Sequence, residues 1–191
     1  KYWDKMTELL DWAQENVQST IFLCWAAHAA MYHFYGVQRQ LRTNKLSGVF
    51  EHDVVQANDE LMRGFDPRFW APHSRVGEIL LEDYEKVPGL KVLAQSDLAG
   101  TYISATDDRR LVFVTGHPEY DPNTLALEYE RDLEAGLEPI VPSNYFTNND
   151  PSQEPIVRWK SHGSLLLTNW LNYYVYQNTP YDLSTLRRRE C

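Results

Sequence analysis

Ser19-Thr20-Ile21-Phe22-Leu23-Cys24 is a short apolar run that ends in a cysteine, and Trp25–Tyr35, rich in Ala, Met and aromatic residues, follows it directly. A run this short, with β-branched and aromatic side chains, reads as a buried strand. Trp25–Tyr35 reads as a helix, and Gly36 supplies the left-handed residue that stops it. Upstream, Met6, Leu9, Leu10, Ala13 and Val17 recur at helical spacing across Asp4–Val17. The unit is therefore helix, buried strand, helix, with Cys24 at the junction between strand and second helix.

Outward from this unit the pattern repeats in kind. Ser47–His52 reads as a strand. Asp53–Glu85 is mixed, and Pro67 and Pro72 are expected to break any long element there. Leu90–Gln95, Thr101–Ala105 and Arg110–Thr115 are strand-like, the last two joined by a turn at Asp107-Asp108. Asp121 suits an N-cap and Pro122 the first helical position, which predicts a helix running to about Ala135 and stopped by Gly136. Residues 138–160 hold Pro139, Pro142, Pro151 and Pro155 and read as a long covering or functional loop. Ser161–Gln177 reads as a final buried aromatic helix, and Arg187-Arg188-Arg189 as a basic end with little structural role. Strands alternating with helices predict one α/β domain: a three-layer sandwich with a largely parallel sheet.

Composition narrows the function. Lys and Arg number 18 against 27 Asp and Glu, a net charge of −9, which disfavours non-specific nucleic-acid binding because phosphate neutralisation needs clustered cations. Hydrophobic residues at 43% are enough for a packed core in a chain of 191 residues. The two cysteines, Cys24 and Cys191, exclude a disulfide scaffold and predict a reduced, cytoplasmic protein. The longest apolar run, Ile21–Ala27, falls far short of the roughly 20 residues that span a bilayer. No signal peptide, P-loop, GxGxxG, HExxH or Cys/His metal spacing is present, so no metal site is expected.

Two residues have the position that chemistry favours. Cys24 follows one buried strand and His117 follows the strand ending at Thr115. In open α/β sheets sites form at the carboxyl ends of strands, and both residues share that edge if their strands are parallel neighbours. A thiolate at a helix N-terminus is stabilised by free amides, and the Trp25 N–H can donate to an oxyanion. Glu119 is placed to orient the imidazole, so Cys24, His117 and Glu119 form a workable nucleophile, base and orienter. The plainer readings stand beside this one: Cys24 as a small buried hydrophobe and His117 as a turn histidine. His28, one helical turn beyond Cys24, and His33 read as packing or surface residues. Lys45 and Arg131 can hold a carboxylate, or simply belong to a solvated face.

Five segments together resemble the homoserine O-acyltransferases of methionine biosynthesis, whose fold is similar to class I glutamine amidotransferases (flavodoxin-like). They are Phe22–Ala27, Lys45–His52, Ala71–Arg75, Thr115–Asp121 and Asn169–Gln177. The resemblance implies that Cys24 is the nucleophile carrying the acyl group as a thioester, His117 the general base and Glu119 its partner. It implies substrate contacts from Lys45, Ser74 and Arg131. The implied reaction is ping-pong transfer of a succinyl or acetyl group from acyl-CoA, as co-substrate, to the hydroxyl of L-homoserine, with no other cofactor and no metal. A cytoplasmic enzyme, with a homodimer as the family's assembly, follows from the same resemblance.

Two departures accompany it. His28 stands where the family typically has Gln. The family also carries about a hundred residues ahead of the position of Lys1, which supply early strands, a second oxyanion donor and the residue that selects the acyl donor. Residues 1–191 are therefore expected to be the C-terminal part of a single catalytic domain. Within the same fold, the alternatives are a Cys-dependent amidase or hydrolase, or an inactive fragment.

Overall fold

A computed structural model describes residues 2–180; the expectations for Arg187–Arg189 and for Cys191 lie outside the described residues. The order is α1 (Trp3–Asn16), β1 (Thr20–Leu23), α2 (Trp25–Tyr35), β2 (Gln40–Val54), β3 (Arg68–Glu78), α3 (Leu81–Glu85), β4 (Leu90–Ser96), β5 (Gly100–Thr106), β6 (Leu111–Val114), α4 (Thr124–Glu134), α5 (Lys160–Asn169) and a π-helix, Trp170–Tyr176. Gly36 ends α2 at φ 68°, the left-handed cap its position called for.

One six-stranded sheet runs in the order β1-β6-β5-β4-β2-β3. Its two faces carry separate cores, which makes three layers. Phe22, Leu111 and Phe113 face Leu10 of α1, Ala27 and Met31 of α2, and Tyr84 of α3. Ile21, Leu23, Val112 and Val114 face the other way, against Leu166 of α5, Tyr174 of the π-helix, and the short 3₁₀ turn at Leu61 and Met62. Strands covered on both faces must be apolar at every position, which explains why β1 and β6 read as unbroken hydrophobic runs. Each such buried side chain stabilises the fold by about 1.5–3 kcal/mol.

The sheet is mixed, not largely parallel. Among the described strands only β1 and β6 pair in parallel, in the register Thr20↔Leu111 to Leu23↔Val114; the β6–β5, β5–β4, β4–β2 and β2–β3 pairs are antiparallel. The reason is the connections. Parallel neighbours need a crossover, and short turns such as Asp107–Arg110 can close only antiparallel pairs.

Pro72 does not break its segment but lies inside the 11-residue β3. β3 is an edge strand, and Pro72 sits opposite Val49. The Val49 N–H donates to Ser143 O at 2.8 Å, on the side away from β3. Pro72 thus occupies a non-hydrogen-bonded position, where a missing N–H costs no ladder bond. Its carbonyl points outward and accepts the His117 N–H at 2.9 Å.

Two further expectations shift. α4 begins at Thr124, two residues beyond Pro122, and Asp121 caps nothing with its side chain; its carbonyl accepts from Thr124 N at 3.1 Å. The last helix changes to π geometry at Trp170. That wider turn carries Trp170 Nε1 to Ser19 Oγ at 3.0 Å and the Tyr174 hydroxyl to Asp59 at 2.8 Å. The 138–160 segment is a covering loop, with Tyr145, Phe146 and Trp159 buried against Val49 and Leu125.

Candidate active site

The parallel pairing of β1 and β6 builds the site. Cys24 is the first residue beyond β1, and its N–H donates to Val114 O, the last residue of β6, at 2.7 Å. Thr115 is held in turn by β5, its N–H on Tyr102 O at 2.9 Å. Two chain segments thus leave the sheet side by side, one turning into α2 and the other into the loop that bears His117.

The turn at Cys24 is sharp. Its φ of 48° and ψ of −111° lie outside the regions that L residues favour. Such backbone costs of order 1–3 kcal/mol and persists only where the surroundings impose it. Here the Val114 bond before it and α2 after it do so. The Trp25 N–H opens α2, among the donors a helix leaves free at its N-terminus.

His117 is fixed from four sides. Its backbone N–H bonds Pro72 O, its Nδ1 lies 2.7 Å from Glu119 Oε1, and its ring stacks on Tyr120 with centroids 4.1 Å apart. The Cys24 sulfur is the fourth neighbour, near enough to act on the imidazole electrostatically. Burial works against a charged imidazole. The Cys24 sulfur and the hydrogen-bonded Glu119 carboxylate outweigh it and raise His117 to about 9.

The loop is seated by close backbone approach. A Cβ on Gly116 would meet Pro72 O at 2.7 Å and the Tyr102 ring at 2.8 Å, and one on Gly163 of α5 would collide with Pro118 O. Trp159 Nε1 donates to Tyr120 O at 2.9 Å.

Cys24 opens onto a cleft of about 350 Å³ whose walls include Lys45, Ser74 and Arg131. The residues that sequence reasoning assigned to substrate thus share one cavity with the thiol. Lys45 Nζ lies 3.0 Å from Asp132 and 3.4 Å from Glu128, and Arg131 pairs with Asp132 at 2.6 Å.

Sequence reasoning missed Glu128. It accepts from the Ser74 hydroxyl, from the Tyr120 hydroxyl at 2.6 Å and from Lys45. Burial raises its carboxyl, but those donors and the Lys45 charge hold it below the usual range. The available signal was helical spacing: Glu128, Arg131 and Asp132 fall three and four apart on one face of α4.

His28 is packed, as one of the two sequence readings had it. It is only 4% exposed and lines the cleft, and its Nε2 has no hydrogen-bond partner among the described residues.

Behind the cleft lies a buried row that no spacing announced. His52 Nδ1 bonds Phe50 O at 2.9 Å, His52 Nε2 meets His73 Nε2 at 3.0 Å, and Arg75 Nε donates to His73 Nδ1 at 3.4 Å. This fixes the tautomers: Nδ1–H on His52 and Nε2–H on His73. Arg75 is then spent on the carbonyls of Gly77 and Ala99. Among the described residues no cluster of three or more His, Cys, Asp or Glu is placed to hold a metal ion.

The fold, with a cysteine at the end of β1, is that of the glutamine amidotransferase-like proteins. Solved glutamine amidotransferases from Thermotoga maritima (TM-score 0.62, 14% identity, 91% of this chain and 69% of that one) and Methylobacillus flagellatus (TM-score 0.62, 10% identity, 90% and 69%) share it. Sequence narrows the class: the family model for homoserine O-succinyltransferase matches residues 1–181, and the chain belongs to that family. Relatives named homoserine O-succinyltransferase include those of Pseudoalteromonas atlantica, 65% identical over 99% of this chain, and Alteromonas mediterranea, 63% identical over 99%. The chain spans 61% of the length of each. No helix among the described residues is long and apolar enough to cross a membrane.

Proposed function

We propose that this chain carries the acyl-transfer centre of a homoserine O-succinyltransferase, moving a succinyl group from succinyl-CoA to the hydroxyl of L-homoserine through a thioester on Cys24. The observation that supports it most directly is His117 held between Cys24 and Glu119 at the paired ends of β1 and β6.

The charge state of His117 gives the order of events. In the resting site the imidazolium faces the thiolate. The sulfur attacks the carbonyl carbon of the acyl-CoA, and the Trp25 N–H is placed to donate to the oxyanion. When the tetrahedral intermediate collapses, the carbon–sulfur bond to CoA breaks and the CoA sulfur leaves with the proton of His117. The Cys24 sulfur is now a neutral thioester, so one of the two negative charges that held the proton on His117 is gone. His117 becomes a base when one is needed. It takes the proton of the homoserine hydroxyl as that oxygen attacks the thioester, and thiolate and imidazolium are restored together. Base catalysis of this kind contributes about 10²–10⁴-fold.

The acceptor is an amino acid, and the α4 side of the cleft is zwitterionic to match. Arg131 and Lys45 suit its carboxylate, Glu128 its ammonium group, and Ser74 lies between them. On this reading acyl-CoA is the co-substrate and no resident cofactor or metal takes part. A cytoplasmic setting keeps the thiol reduced. The homodimer rests on the family resemblance alone. The family's name supports succinyl over acetyl as the group transferred.

The test is intact-protein mass spectrometry of the protein as its gene encodes it. Succinyl-CoA alone should add one succinyl group at Cys24, and L-homoserine should remove it as O-succinylhomoserine. Product formation by a Cys24→Ala variant would overturn the proposal. Acylation by acetyl-CoA in preference to succinyl-CoA would reassign the donor.

A further inference from the structure

The cleft has a second end that the proposed reaction leaves without a role. Four of its lining side chains carry positive charge: Arg39, Lys45, Arg75 and Arg131. Lys45 and Arg131 are paired with the carboxylates of α4, and Arg75 is spent on backbone carbonyls and His73. Arg39 makes no side-chain hydrogen bond or ion pair among the described residues. It lies just before β2, exposed to solvent, beside His28. A point at the Gly77 Cβ position would be 3.4 Å from Arg39 Nη1 and 3.3 Å from His28 Nδ1, so the two side chains converge on one spot.

His28 provides the second, independent observation. It is 4% exposed and lines the same cleft, and its Nε2 is buried without a partner among the described residues, while its Nδ1 is the atom nearest Arg39. An orphaned buried polar atom costs about 1–3 kcal/mol and calls for a ligand or a water. Burial and the nearby Arg75 and Arg39 charges lower its pKa to about 4, so near neutrality it is an uncharged imidazole. His28 sits four residues beyond Cys24 on α2, about 6 Å along the helix. That separation is comparable to the reach of an extended succinyl thioester from its sulfur to its distal carboxylate.

We infer that Arg39 and His28 form the subsite for the distal carboxylate of the acyl group, with the guanidinium supplying charge and the imidazole a hydrogen bond. This rests on the proposed succinyl transfer and adds a basis for donor selection. The two ends of the cleft then differ in kind. The α4 end carries both signs of charge and suits a zwitterion. The Arg39 end carries positive charge alone and suits an anion.

The test compares succinyl-CoA with butyryl-CoA, which has the same chain length and no distal carboxylate. The readout is the rate of Cys24 acylation without homoserine, followed by CoA release. Arg39→Gln should lower the ratio of succinyl to butyryl rates about tenfold or more, as expected for loss of a charge-assisted hydrogen bond. His28→Leu should lower the same ratio, and His28→Gln, which keeps a side-chain N–H, should restore most of it. Arg39 is exposed, so its variant is expected to fold; a melting curve checks this. Equal loss with both donors would place Arg39 on the CoA portion and overturn the inference, as would an unchanged ratio. If the unsubstituted protein transfers neither acyl group, the proposed function fails and the subsite with it. Acylation by the unsubstituted protein with no preference for succinyl-CoA removes the subsite alone.

Discussion

The amide of Cys24 donates to the carbonyl of Val114 at 2.7 Å, one residue beyond the parallel register Leu23↔Val114. This bond ties the strained turn at residue 24 to the end of β6, and His117 follows Val114 by only three residues. The spacing between Cys24 and His117 is therefore set by strand pairing. Catalytic geometry carried on rigid strands tolerates little slack, since small displacements of reacting groups cost rate steeply.

Cys24→Ala should lower the His117 pKa from about 9, leaving Glu119 at 2.7 Å to raise it against the opposing effect of burial. An NMR titration of the imidazole measures it directly. An unchanged pKa would mean that the sulfur does not hold the proton, and the proposed release of the base after acylation would lose its cause.

Gly163→Ala places a methyl group against the carbonyl of Pro118. In an unencumbered helix this change would stabilise by up to about 1 kcal/mol. Here the collision with backbone decides the sign. The variant should lose about 1–3 kcal/mol in chemical denaturation, and its kcat should fall about tenfold or more because the Gly116–Glu119 loop is pushed off α5. A more stable variant with full activity would show that the loop seats elsewhere.

Glu128→Gln keeps the shape of the side chain but removes the charge that Lys45, Ser74 and Tyr120 surround. The KM for homoserine should rise about tenfold or more, with the rate of Cys24 acylation by succinyl-CoA changed far less. Equal loss in both half-reactions would assign Glu128 to the shared chemistry at Cys24 instead of to the acceptor.

The short apolar strands, the Gly36 stop and the positions of Cys24 and His117 were legible because each depends on local pattern: periodicity, a left-handed cap, a reactive residue after a buried run. The sheet's handedness of pairing was not. Alternation of strands and helices suggested parallel strands, but β4, β5 and β6 are joined by turns too short for crossovers. Pro72 misled for a related reason, since its tolerance depends on β3 being an edge and on which side its N–H would face. Glu128, His28 and the His52–His73 contact come from β2, β3, α2 and α4 meeting in space. Only register and packing bring them together, and a single sequence states neither.

Stability should peak near pH 6.5–7 and fall on both sides, for different histidines. The His117 pKa is raised to about 9 from 6.5, so its stabilisation is fully present below pH 6.5 and is lost as pH rises through about 9. The full shift corresponds to about 3 kcal/mol as an upper limit. On the acid side the signs reverse. Burial lowers His28 to about 4 and His52 to about 3, and drives His73 well below its ordinary value, so the unfolded chain binds more protons once pH drops below 6.5. Each buried ring then opposes folding progressively until its own folded pKa is reached. Guanidinium unfolding at half-unit intervals from pH 4.5 to 9.5 measures both limbs. His117→Gln should flatten the alkaline limb and leave the acid limb intact; His28→Gln should leave the alkaline limb intact and make the acid limb shallower, with His52 and His73 still contributing to it. If His117→Gln leaves the alkaline limb as steep as before, the charged imidazole is not what holds the two strand ends together there.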